Sequence, residues 1–85
     1  MERETVRARL AQIHDELSKA HAAAPETREQ LDSVLPDVKR LTEGGSQDES
    51  LKERLERVAV RFEANHPTVA GSVRRLVDLL GEVGI

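Results

Sequence analysis

The chain of 85 residues has no cysteine, tryptophan or tyrosine, and Phe62 is its single phenylalanine. Without cysteine it can form neither a disulfide nor a thiolate metal site. Aromatic side chains supply much of the buried area of ordinary cores, so this core must be built from Leu, Val, Ile and Ala. The sequence also lacks an apolar run of the roughly 18 residues that a membrane span needs.

Negative charge is in small excess. Thirteen basic and sixteen acidic residues give a formal net charge of -3, whereas nucleic-acid-binding proteins are usually basic on at least one face. The residues from Met1 to Glu4 do not form a basic region followed by an apolar run, so we expect no signal peptide and a cytoplasmic protein. The charged fraction of 34% is typical of helix bundles and coiled coils.

Four stretches of the chain place apolar residues three and four positions apart, which keeps them on one face of an α-helix. We therefore predict one all-α domain over residues 1–85, with four helices at about 2–21, 25–42, 47–65 and 67–82. Because the connections are short, we expect a small antiparallel bundle or a pair of helical hairpins. The stripes are Val6, Leu10, Ile13 and Leu17; Leu31, Val34, Leu35, Val38 and Leu41; Leu51, Leu55, Val58 and Phe62; and Val69, Val73, Leu76, Leu80 and Val83.

Local signals mark where these helices begin. Pro25 suits the first position of helix two, where its missing N–H is harmless. Ser46 and Glu49 have the spacing of a capping box for helix three. His66 precedes Pro67 and therefore avoids helical geometry, so we expect helix four to begin at Pro67.

Pro36 conflicts with the stripe of helix two. A proline inside a helix removes a hydrogen bond and clashes with the carbonyl four residues earlier, at a cost of about 3 kcal/mol. The helix must therefore either kink near Pro36 or split there. Because the apolar stripe continues in phase beyond the proline, we favour a kink.

The predicted core is small for a chain without disulfides, and such scaffolds often gain stability by self-association. Helix four has the widest apolar face, so we predict a homo-oligomer, with a dimer favoured, that joins through this face and the stripe of helix one. An unidentified protein partner is the alternative occupant of the same face. The candidate interface residues are Leu10, Ile13, Leu17, Val73, Leu76, Val77, Leu79, Leu80 and Val83.

Val60 does not follow the stripe of helix three. It lies opposite that stripe, on a face that is otherwise polar. A single exposed valine is ordinary in soluble proteins, but a valine there would also mark a second contact surface if the chain self-associates.

No group of residues has the spacing of a catalytic or metal site. His14 and His21 lie seven residues apart, about 10 Å along a helix, whereas a helical zinc pair usually has a spacing of three or four. Acidic and basic residues such as Lys52 and Glu56 follow the four-residue spacing of surface ion pairs. We therefore expect a non-enzymatic interaction or structural module without a metal or cofactor.

Arginines on helices three and four support an alternative, a nucleic-acid-binding or regulatory protein. This function requires the arginines to converge in space, and no aromatic residue is interleaved for base stacking. A membrane surface is not expected to bind helix four, because Asp78 and Glu82 weaken its attraction to anionic lipid. The arginines concerned are Arg54, Arg57, Arg61, Arg74 and Arg75.

The second half of the chain resembles a known family. Residues 61–67 read Arg-Phe-Glu-Ala-Asn-His-Pro, and the sequence ends in Gly84 and Ile85. This is similar to a family of short bacterial all-helical proteins of unknown function, in which an RFE-x-x-HP turn precedes a helix that ends in GI. The resemblance singles out Phe62, His66, Pro67, Gly84 and Ile85 as the positions that carry the family pattern.

What this resemblance implies is modest. It implies a small cytoplasmic all-α protein with no assigned activity or ligand. Pro36 departs from the family pattern. The resemblance therefore supports the predicted architecture and leaves the function open.

Overall fold

The computed structural model describes residues 3–45 and 50–82, and these residues contain five α-helices and no strand. The prediction of an all-α chain is confirmed, but the predicted count of four helices is corrected to five. A short 3-10 turn at Pro25–Thr27 precedes the second helix. The helices are α1 (Arg3–Ala23), α2 (Arg28–Asp32), α3 (Leu35–Thr42), α4 (Leu51–Phe62) and α5 (Pro67–Glu82).

The additional helix arises because the predicted helix two is split, so the kink that we favoured is wrong. Pro36 has no N–H to donate to the carbonyl of Asp32, and its ring would clash with that carbonyl in a continuous helix. The chain turns instead at Ser33 and Val34, whose N–H groups donate to carbonyls three residues earlier. A new helix then begins at Leu35 and has Pro36 in its first turn, where proline is tolerated.

The apolar side chains before and after this split nevertheless all face the core. Leu31, Val34 and Val38 are fully buried, and Leu41 is nearly so. The turn at Ser33 and Val34 preserves the direction of these side chains while it interrupts the helical hydrogen bonds. A stripe that continues in phase is therefore compatible with a broken helix.

The predicted helix boundaries are closer to the observed ones for α5 than for α4. Helix α5 begins at Pro67 as predicted, while α4 ends at Phe62 rather than at residue 65. Residues 63–65 form a turn, because Pro67 keeps His66 out of helical geometry. The predicted capping box of Ser46 and Glu49 lies outside the described residues.

The apolar stripes meet in one core. Helix α1 packs against both α3 and α5, and α4 packs mainly against α5. The antiparallel arrangement of neighbouring helices stays a prediction. Buried apolar side chains from all five helices form the core, and they include Val6, Leu10, Ile13, Leu17, Leu31, Val38, Leu55, Phe62, Val73, Leu76 and Leu80.

Two buried polar side chains are satisfied by hydrogen bonds. The Thr27 hydroxyl donates to the carbonyl of Ala24 at 2.7 Å and lies 3.3 Å from that of Ala20. The Ser72 hydroxyl on α5 donates to Glu16 Oε1 on α1 at 2.9 Å. Because unpaired buried polar groups are costly, these bonds permit Thr27 and Ser72 to lie within an otherwise apolar core.

Candidate interaction surface

Helix α4 has two faces of different character. Its inner face, which carries the predicted stripe, is buried. Val60 lies on the opposite side and is 62% exposed, which makes it the large apolar residue that the described part of the chain leaves in solvent. We call the exposed residues around it the outer face of α4, namely Glu53, Glu56, Arg57, Val60 and Arg61.

The side of the outer face nearest α5 is acidic. Glu56 and Val60 line a shallow groove together with Arg74 and Asp78 of α5. Glu63, which follows α4 on the same side, pairs with the guanidinium of Arg74. Because the Glu63–Arg74 pair has no net charge, the negative charge of this border comes from Glu56 and Asp78, and we call these two residues the acidic edge.

The side nearest α2 is basic. Arg54, Arg57 and Arg61 line a second groove together with Glu29 of α2. Arg54 is held within the chain, since its guanidinium donates to the carbonyl of Ser33 at 2.9 Å and to Asp37 at 2.5 Å. Arg57 and Arg61 are exposed, and we call these two residues the basic edge.

The outer face is therefore polarised across its width. An exposed valine lies in the middle, with arginines on one side and carboxylates on the other. Val60 is not part of the core cluster. This exposed valine between two charged edges makes the outer face of α4 the candidate functional site.

The interface predicted from the sequence lies elsewhere. Seven of its nine residues are buried within the core of the single chain, while Val77 is partly buried against that core. Val83 lies outside the described residues. In this conformation the seven are not available at the surface, so self-association through them stays a prediction for which this packing provides no contact area. The seven are Leu10, Ile13, Leu17, Val73, Leu76, Leu79 and Leu80.

The turn between α4 and α5 has a structural explanation. Phe62 is buried, and the His66 ring meets it edge-on with a distance of 5.7 Å between ring centres. His66 Nε2 lies 3.4 Å from a carboxylate oxygen of Glu26, so the turn also contacts the 3-10 segment before α2. Pro67 opens α5, and these contacts join the two halves of the chain.

No metal site is found in residues 3–45 and 50–82, where no three His, Asp or Glu side chains come together in a suitable group. His21 is instead engaged with Asp32 on α2, with 2.7 Å between Nε2 and Oδ1. His14 is half-buried on α1. The two histidines of this helix thus do not form a shared site.

The arginines of the nucleic-acid alternative are distributed over three places. Arg54, Arg57 and Arg61 line the groove beside α2. Arg74 lies in the groove between α4 and α5, and Arg75 faces α1, where it binds Glu16 at 2.5 Å. The convergence of all five that this function requires is therefore not found.

A comparison with protein families matches residues 6–85 to a domain of unknown function, DUF4404. The chain belongs to the DUF4404 family. The match agrees with the resemblance to a family of unknown function, whereas bacterial origin and the RFE-x-x-HP and GI motifs stay predictions. DUF4404 membership therefore assigns no activity or ligand to the outer face of α4.

The other comparisons add no relative to this DUF4404 chain. None of the curated proteins matches it, and none of the solved structures does. Within the described residues, no helix is both long enough and apolar enough to cross a bilayer. The assignment of the candidate site therefore depends on the geometry and charges of the outer face of α4.

Sequence reasoning singled out Val60 and the arginines of α4 but missed the acidic edge. Part of the signal was present, because Glu56 lies roughly 40° to one side of Val60 on the helix. Arg57 and Arg61 are four apart and fall on the other side of Val60. A reading of charge by helix side, rather than by spacing between ion pairs, predicts the polarised face.

Proposed function

We propose that this chain is a non-enzymatic helical interaction module whose contact surface is the outer face of α4. The observation that carries the proposal is Val60, which is 62% exposed between a basic edge and an acidic edge. The apolar stripes are already used within the core, so the outer face is presented by a chain that closes its own core. Association through this face therefore requires no rearrangement of the helices.

The chemistry of the face suits association with another protein. Burial of Val60 removes apolar surface from water, which is favourable in proportion to the area buried. The two charged edges supply orientation, because complementary charges guide encounter and disfavour wrong alignments. A face of this kind provides specificity from charge and a modest affinity from its small apolar centre.

Site-specific photo-crosslinking tests this function in the cells that make the protein. A photoreactive residue is placed at Val60 and, as the control, at Ala11, which is exposed on α1. We expect a discrete adduct from position 60 and none from position 11. If neither position yields an adduct, or both yield the same one, the outer face of α4 is not an interaction surface.

A second candidate function, nucleic-acid binding, is favoured only by the groove that Arg54, Arg57 and Arg61 share. Because phosphate contacts release counterions, such binding weakens steeply as salt rises. Filter binding with single-stranded and double-stranded probes at about 50 mM salt tests it. Retention that disappears in Arg57→Glu supports nucleic-acid binding, whereas no retention excludes it under these conditions.

A further inference from the structure

The outer face of α4 carries both halves of a complementary contact. Its basic edge consists of Arg57 and Arg61, and its acidic edge of Glu56 and Asp78. A surface that carries both signs on opposite sides of an apolar centre is complementary to a copy of itself. A closed pair of identical patches is also the commonest form of homo-oligomer.

We propose that two copies of the chain form a dimer in which their α4 helices lie side by side and parallel, with Val60 against Val60 of the second copy. The basic edge of each copy then faces the acidic edge of the other. This inference depends on the proposed function and names the partner.

The positions on the helix decide between the two symmetric arrangements. At about 100° per residue, Arg57 and Arg61 lie roughly 60° and 100° to one side of Val60, and Glu56 lies roughly 40° to the other. A two-fold axis parallel to the helices brings opposite edges together. A two-fold axis perpendicular to them brings like edges together, which places arginine against arginine.

The heights of the charges along the two helices also suit a parallel pair. In a parallel pair, identical residues lie at the same height, so Arg57 and Glu56 of the other copy differ by one residue, about 1.5 Å. An arginine side chain reaches across such an offset. Glu53, near the centre of the face, lies four residues before Arg57 of its own helix, which offsets its charge.

The expected dimer is weak and sensitive to salt. Helix α4 has 12 residues, so its length is about 18 Å. Its contact is therefore smaller than the roughly 800 Å² per partner of a standard stable interface. We expect a dissociation constant on the order of 10 to 100 µM at low salt. Exposed charge pairs are screened by salt, so the constant should rise with ionic strength.

Two charge-reversed variants of the full chain test this arrangement by sedimentation equilibrium. The first, Arg57→Glu with Arg61→Glu, has two acidic edges, and the second, Glu56→Arg with Asp78→Arg, has two basic edges. We expect each variant alone to dimerise at least tenfold more weakly than the unaltered chain. An equimolar mixture should recover dimers, because both contacts between unlike variants are complementary.

Glu4→Arg with Glu43→Arg is the matched control, since it changes the net charge as the second variant does but at exposed positions outside α4. We expect it to dimerise like the unaltered chain. Recovery of dimers in the mixture also shows that both variants are folded. Circular dichroism provides an independent check on each.

Three results would overturn the inference. They are a monomer at about 1 mM protein and low salt, association that strengthens as salt rises, and a mixture that dimerises no better than its components. A crosslinked adduct from Val60 to a different protein would overturn the homodimer while it supports the proposed function. Absence of every adduct would overturn the proposed function itself.

Discussion

The two faces of α4 belong to the same helix of 12 residues, yet one is buried in the core and the other is exposed to solvent. Leu51, Leu55 and Phe62 on the inner face are buried within the core. The outer face has Val60 in solvent between two charged edges, and its residues are not part of that core. The inner face is explained by folding of one chain, whereas we propose that the outer face serves association with a second copy.

This difference separates stability from association. Changes on the inner face should alter the free energy of unfolding, and changes on the outer face should alter the dissociation constant alone. The following predictions test that separation, in order of their expected effect on unfolding.

Leu55→Ala should have the largest effect. Leu55 is fully buried, and truncation of a buried leucine to alanine costs about 2–5 kcal/mol, since a cavity remains. Urea unfolding followed by circular dichroism measures the loss. Leu55→Met, which nearly conserves volume, should cost less than about 1.5 kcal/mol. An equally small loss for alanine would show that the core does not depend on α4.

Ser72→Ala should destabilise the chain by about 1 kcal/mol, because it removes the hydroxyl that donates to Glu16 across the contact of α1 and α5. Urea unfolding again gives the free energy. The dissociation constant of the dimer should not change, since this contact does not involve the outer face of α4. A weakened dimer would contradict the separation of the two faces.

Pro36→Ala should restore the N–H donor that a continuous helix needs and remove the clash with the carbonyl of Asp32. We expect helical chemical shifts at Ser33 and Val34 in the NMR spectrum of the variant. Stability should change by less than about 1 kcal/mol, since the unfolded chain also gains freedom. Persistence of the break would mean that packing of Val34, rather than the proline, divides the helix.

Val60→Asp should have the smallest effect on unfolding and a large effect on association. Substitutions of exposed residues usually alter stability by no more than about 0.5 kcal/mol. Dimerisation should weaken at least tenfold, because two carboxylates would replace the apolar centre. Ala11→Asp on α1 is the control and should leave the dimer unchanged. Equal weakening by both variants would assign the effect to net charge.

The sequence predicted most of the fold and only part of the candidate site. The stripes of α1, α4 and α5 predicted the helices, and Pro67 located the start of α5, because these signals are local. The split at Ser33 and Val34 was missed, since an in-phase stripe does not reveal whether the backbone bonds are continuous.

The predicted interface illustrates a different limit. Leu76 and Leu80 were assigned to contacts between chains, because the core of so short a chain looked too small to be stable by itself. The structure buries both residues within one chain. Periodicity identifies which side chains leave water, but it does not tell whether they do so within a chain or between chains.

Sedimentation equilibrium between about 1 µM and 1 mM, with circular dichroism of the same samples, distinguishes a chain that folds before it associates from one that folds only on association. We expect the mass to rise from monomer to dimer while helicity stays constant, because each chain closes its own core before it associates. Helicity that falls as the dimer dissociates would contradict this expectation. It would mean that the core exists only in the assembly.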